Sequence, residues 1–127
     1  MDMNPRDRQS TLMMTVFATV AQVAMVVSGH YLAFVRDNVF AMGGMGISLV
    51  FGAIWALRAA ESKGQGLRGG AIVGGLSALL GIIVSVILGD TEPMILAIGT
   101  LSSAVTGAIG GLIGAAAGGR ARPAPGA

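Results

Sequence analysis

The sequence contains no cysteine, which excludes disulfides, thiolate nucleophiles, iron–sulfur clusters and thiolate zinc sites together. Its single histidine, His30, excludes a multi-histidine metal centre within one chain. Charge is scarce: 11% of residues are Asp, Glu, Lys or Arg, too few to clothe a soluble domain. The net charge of +2 is small and dispersed, and no basic patch is interleaved with aromatics, so nucleic acid is not an expected partner. No paired carboxylates lie inside an apolar run, and no Ser–His–Asp set has supporting context. Gly64-Gln65-Gly66-Leu67-Arg68-Gly69 has the letters of a dinucleotide fingerprint but follows no strand. The sequence therefore offers no catalytic, cofactor-binding or metal-ligating residues, and the chain is not read as an enzyme.

What it does contain is apolar sequence. Hydrophobic residues make up 54% of the chain, in four stretches: Thr11–Val35, Val39–Ala60, Gly69–Gly89 and Pro93–Gly118. Each is near the roughly 20 residues that an α-helix needs to cross a bilayer. The first stretch outruns the 7–15-residue apolar region of a signal peptide and is read as a retained helix. Short connections at Arg36-Asp37-Asn38 and at Asp90-Thr91-Glu92-Pro93 predict an all-α, up-down-up-down transmembrane bundle. Residues 1–127 are read as a single integral membrane domain with a disordered tail, 119–127. Gly89 is placed as a helix stop and Pro93 in the first turn of the next helix. Glu61-Ser62-Lys63-Gly64-Gln65-Gly66 is read as a flexible loop. A match between the two halves at an offset of 62, which pairs Arg58 with Arg120, is treated as chance in so Gly/Ala-rich a chain.

Basic residues set the expected orientation. Seven of the eight fall in the N-terminal segment, the Arg58–Arg68 connection and the C-terminal tail, leaving only Arg36 on the other side. Arg and Lys accumulate on the cytoplasmic side, so both termini are expected in the cytoplasm of a bacterial inner membrane. Tyr31, Phe34 and Trp55 lie near span ends, as interfacial aromatics do, although Trp55 could equally be a packing residue.

Small residues four apart form the strongest internal pattern. One ridge runs through Gly44, Ser48, Gly52, Ala56 and Ala60 in the second span, and the third carries Gly70, Gly74 and Ala78, then Gly81, Ser85 and Gly89. The fourth has Gly99, Ser103, Gly107 and Gly111 on one ridge and Gly110, Gly114 and Gly118 on a neighbouring one. Such ridges let helix backbones approach closely in lipid. Two ridges on one helix exceed what a four-helix bundle is expected to use, so Gly110-Gly114-Gly118 is assigned to contact with another copy. The first span, with glycine only at Gly29, is expected at the periphery.

Polar residues within the spans are few. Gln22, mid-span, either touches a pore or ligand or makes an interhelical hydrogen bond; the bond is expected. Thr11, Thr15 and Thr19 share a face and are expected to bond their own helix carbonyls. His30 is the only group titrating near neutral pH and is expected at an interface with solvent access. Arg36, Asp37, Asp90 and Glu92 could form a polar cluster at the same end.

The stretch Gly52–Ala60, the Lys63-Gly64 connection and the glycine-rich Gly69–Gly81 resemble those of small uncharacterised Gly/Ala-rich four-span bacterial membrane proteins, which have no activity to transfer. Small multidrug resistance transporters share the span count but carry a glutamate in the first helix, where this chain has no acidic residue between Ser10 and Arg36. Fluoride channels use a membrane Asn, absent from these spans, and nearly balanced charge. The expected role is structural or accessory, packing against itself or a larger membrane complex within the lipid bilayer. The alternatives are an oligomeric channel or transporter and a holin-like permeabiliser.

The orientation is directly testable. Reporter fusions after Ser62 and after Ala127 should report the cytoplasm, and one after Asp90 the opposite side. A C-terminal fusion reporting the outside would reverse it.

Overall fold

In a computed structural model the chain is a four-helix bundle; residues 5–32 and 40–121 are described below. The helices are α1 (Pro5–Tyr31), α2 (Phe40–Ala59), α3 (Lys63–Ile87) and α4 (Ile95–Ala121), with no strand among the described residues. Each is long and apolar enough to cross a membrane, the architecture of an integral membrane protein. The 25 residues of α3 rise about 37 Å, more than the roughly 30 Å of a hydrocarbon core. The Arg36-Asp37-Asn38 connection and residues 122–127 of the expected tail lie outside the described residues, and α4 continues past its expected end at Gly118.

The structure corrects the reading of Glu61–Gly66 as a flexible loop. Helix α3 starts at Lys63, six residues before its expected start at Gly69. Ser62 caps it, its hydroxyl accepting from the Gln65 backbone N–H at 3.2 Å, while Gln65 Oε1 reaches back to the Glu61 N–H at 3.0 Å. Ser62 is thus the N-cap, and the Gln65 carboxamide satisfies the N–H of the residue before it. Its glycines were read as loop formers, but Gly66 is a packing residue. The other end of α3 follows expectation. Gly89 takes φ +80°, with its N–H bonded to Val86 O and that of Asp90 to Ser85 O. That is a Schellman stop, and it requires a residue free of a Cβ.

The helices do not form a square. α4 lies in the groove between α2 and α3, and α1 lies against the same pair without touching α4. The register follows from glycines. Leu49, Ala53 and Leu57 of α2 lie against Gly110, Gly114 and Gly118 of α4, so these two helices run parallel. Gly66, Gly70 and Gly74 of α3 lie against Gly111, Gly107 and Ser103, so that pair is antiparallel. A methyl group added to Gly107 would overlap the Gly70 carbonyl oxygen, and one on Gly111 that of Gly66. On the neighbouring ridge, Gly110 and Gly114 leave no more room beside the carbonyls of Leu49 and Ala53.

The assignment of Gly110-Gly114-Gly118 to another copy is therefore corrected: both ridges of α4 are filled within one chain. One ridge faces α3 and its neighbour faces α2 because α4 sits in a groove and touches two helices at once. The small-residue series of α2 is internal throughout, from Gly44 through Ser48, Gly52 and Ala56 to Ala60. Trp55 is a packing residue rather than an interfacial one. It is 3% exposed, and its ring occupies the space that a side chain on Gly69 would need. With Met14, Ala18, Ala56, Ala60, Val73 and Ala115 it forms the apolar core, which sits toward the Lys63 end of the bundle. As the shortage of glycine implies, α1 is peripheral and turns Leu12, Val16, Phe17 and Val20 outward.

The backbone contacts predict a sharp contrast between two glycines. Gly107→Ala should lower stability by about 1–3 kcal/mol through overpacking. Gly46→Ala, with nothing within 4 Å of the added methyl, should leave stability unchanged or raised. Thermal unfolding in mild detergent is the measurement. Equal melting temperatures for the two variants would remove close backbone packing as the stabilising contact.

Candidate functional site

Away from the Trp55 core, toward the end of the bundle that carries Asp90, polar side chains enter the interior. Gln22 projects from the middle of α1 and is 3% exposed. It fits because two glycines face it: Gly81 on α3 leaves room for its Cβ, and Gly44 on α2 for its carboxamide. Gln22 Nε2 donates to the Gly44 carbonyl at 3.1 Å and lies 3.5 Å from Ser48 Oγ. Ser48 Oγ is 3.0 Å from the Gly44 carbonyl and 3.4 Å from that of Gly74. A hydroxyl has one proton, so Ser48 donates to one of these carbonyls at a time. Ser77 Oγ also donates to Gly74 O, at 3.1 Å. A polar node thus links α1, α2 and α3 at mid-depth, and the interhelical bond expected of Gln22 is present.

Beyond this node the helices separate around a half-open cavity of about 530 Å³. All four helices and the α3–α4 turn contribute to it. Met25, Val26, Met45, Ile82, Ile95 and Ile98 supply apolar wall, Gln22 and Ser103 lie at its inner part, and Asp90, Thr91 and Glu92 at its rim. The Gln22 amide has one sensible orientation: turned over, its oxygen would face the Gly44 carbonyl. Its Oε1 then accepts no hydrogen bond from the described residues. Ser103, 4% exposed, likewise makes no side-chain hydrogen bond with them.

A second polar group closes the bundle at the same end. His30 Nδ1 and Asp90 Oδ2 are 2.8 Å apart, joining the last turn of α1 to the turn after α3. The Gly89 stop positions Asp90 for this contact, and the Tyr31 ring meets the His30 ring edge-on at 5.1 Å. Beside it the Ser85 and Thr91 hydroxyls are hydrogen-bonded at 2.5 Å. His30 is therefore paired rather than simply solvated. Arg36 and Asp37, the other members of the expected polar cluster, lie outside the described residues.

Several polar groups do not join either cluster. The hydroxyls of Thr15 and Thr19, expected to bond their own helix, have no hydrogen-bond partner among the described residues, and neither do Thr100 Oγ1 and Trp55 Nε1. Nothing in the structure explains them. Of the residues singled out in the sequence, Gln22, Gly44, Ser48, Gly74 and Gly81 converge on the node. Gly52, Gly70, Gly107, Gly110, Gly111, Gly114 and Gly118 belong to the packed seams. No cluster of three or more His, Asp or Glu suited to a metal occurs among the described residues.

Ser103 and the His30–Asp90 pair were missed as partners in this site. Ser103 reads as one more small residue on a glycine ridge, and the pair spans 60 positions of sequence. Comparison with known proteins finds no matching family model, no matching curated protein and no matching solved structure.

Replacing Gln22 by Leu removes a buried interhelical bond while roughly keeping volume. The expected loss of stability is about 0.5–2 kcal/mol, read from unfolding in detergent. A Gln22→Leu variant more stable than the parent would show that the amide is retained for a reason other than packing.

Proposed function

We propose that this chain is a small structural or accessory protein of a bacterial inner membrane, with both termini in the cytoplasm, that packs against itself or a larger membrane complex. The closed half of the bundle carries this reading. Toward the Lys63 end the backbones of α2, α3 and α4 meet at Gly52, Gly66, Gly70, Gly107 and Gly111, and Trp55 fills the space beside them. Such packing leaves no path for a solute along the axis of a single chain. It favours a rigid module over a carrier that alternates between two open states.

The surface left for partners is aliphatic. Leu101, Val105, Ile109 and Ile113 of α4 and the outward residues of α1 face away from the bundle. With both glycine ridges of α4 occupied, an assembly would use these larger side chains, so contacts to neighbours would rest on dispersion between aliphatic groups. No charged residue lies between Pro93 and Gly119, so association through α4 should depend little on salt.

Purified protein in liposomes should hold a potassium gradient as well as empty liposomes do, while its mass in mild detergent exceeds that of one chain. Dissipation of the gradient in proportion to protein content would establish the channel reading instead. A strictly monomeric protein that also conducts nothing would leave association with a different membrane protein as the remaining form of the proposal, testable by whether deletion of the chain destabilises that complex.

A further inference from the structure

We propose that the cavity at the Asp90 end holds a neutral aliphatic alcohol, its hydroxyl donating to Gln22 Oε1 at the inner end and its chain lying along the apolar walls. The inference goes beyond the accessory role and holds whichever side of the membrane this end faces.

One atom at the inner end selects a donor. Gln22 is 3% exposed, and its Nε2 is held by the Gly44 carbonyl. Its Oε1 is a carboxamide oxygen, which accepts hydrogen bonds and never donates one. No described residue donates to it. Unlike the sealed hydroxyls of Thr15, Thr19 and Thr100, it keeps surface open to a small group, and the space that Gln22 lines is this cavity. Buried acceptors are normally satisfied. Ser103, also at the inner part, can donate or accept through its hydroxyl, so it adapts to whatever Gln22 selects.

The same depth selects against charge. Apart from Asp90 and Glu92 at the rim, every lining residue is neutral. Asp90 is held by His30 at 2.8 Å and has a further partner, and Glu92 is exposed, so the rim offers a ligand no dedicated countercharge. An ammonium or carboxylate carried to Gln22 would exchange its hydration for neutral partners. A hydroxyl loses far less and keeps a hydrogen bond. An ether or carbonyl oxygen would face the Gln22 oxygen with no proton between them.

Size and walls fit an aliphatic chain. The cavity of about 530 Å³ lies within the roughly 300–1,000 Å³ of small-molecule pockets. Met25 and Met45 give part of the wall an adaptable surface, and Val26, Ile82 and Ile98 supply more of it. Gly81, which faces Gln22, and Asp90 are nine positions apart along α3 and its stop, about 12 Å at helical rise. An eight-carbon chain fits within that length. Water can also serve the Gln22 oxygen, but an alcohol makes the same bond and covers the apolar wall that water would leave wet.

The test uses the full chain in nanodiscs of zwitterionic lipid and a 1-octanol carrying a mid-chain diazirine, with photolabelled residues located by mass spectrometry. Labelling should saturate at one probe per chain and fall on cavity residues such as Met25, Met45 and Ile98. Unlabelled 1-octanol should displace the probe. Its isomer 1-methoxyheptane, which lacks a donor, should be at least about 5-fold weaker at equal concentration in the membrane. Octylammonium, which can donate but is charged, should also compete more weakly than the alcohol. Gln22→Leu should abolish the preference for the alcohol over the ether. If that variant fails to fold, the comparison of the two isomers on the parent chain decides. Labelling that rises with probe concentration without saturating would mean partition into lipid and overturn the proposal. Equal displacement by the two isomers, stronger displacement by octylammonium, or a preference that survives Gln22→Leu would also overturn it.

Discussion

Close approach of the α4 backbone to two other helices is the contact on which the rest of the bundle depends. In water, burial of large apolar side chains would hold such helices together, but lipid offers no comparable gain, and association falls to dispersion and the few available hydrogen bonds. Dispersion is strongest where atoms are closest. Gly107 and Gly111 bring α4 onto the carbonyls of α3, and Gly110 and Gly114 bring it onto those of α2. Adjacent ridges on one helix are what a helix needs when it occupies a groove. The same placement brings α2 and α4 together in parallel and keeps α1 away from α4.

The two ends of the bundle differ because this packing does not extend along its whole length. Toward the Lys63 end, glycine faces the backbone of a neighbouring helix or the Trp55 ring, and the interior is closed. Toward the Asp90 end, glycines face side chains: Gly81 and Gly44 accommodate Gln22, and Gly99 accommodates Ile82. Side chains of that size hold the helices apart, and a cavity follows. Capping and pairing then stabilise the open end. The Schellman stop at Gly89 places Asp90 against His30, so the peripheral helix is tied to the rest of the bundle at its far end as well as at Gln22.

Much of this was legible in the sequence, and for physical reasons. The number of helices follows from apolar runs matched to bilayer thickness, and the inward face of α2 from its unbroken small-residue series. The role of Gln22 follows from the cost of leaving an amide unbonded in an apolar setting. The start of α3 was misplaced because Gly64 and Gly66 are loop formers by propensity. The Ser62 and Gln65 cap, together with the packing of Gly66 on Gly111, overrides that propensity. The second ridge of α4 was misassigned because its count of small residues cannot tell a neighbouring copy from a second helix of the same chain. The cavity was not legible at all: it depends on how far four helices separate, which no local pattern records.

The absence of native cysteine makes the central packing claim open to a direct measurement. Leu57→Cys and Gly118→Cys place thiols on facing positions of α2 and α4, where a Cβ on Gly118 would stand 3.5 Å from the Leu57 Cα. Oxidation of the double variant in membranes, followed by non-reducing electrophoresis, reports which chain each thiol meets. If α4 packs in the groove of its own chain, the crosslink forms within a monomer, whose mobility shifts without change of mass and regardless of dilution by unlabelled chain. Crosslinked dimers at the expense of monomer, suppressed by such dilution, would place the Gly110-Gly114-Gly118 ridge between chains and contradict the intramolecular seam.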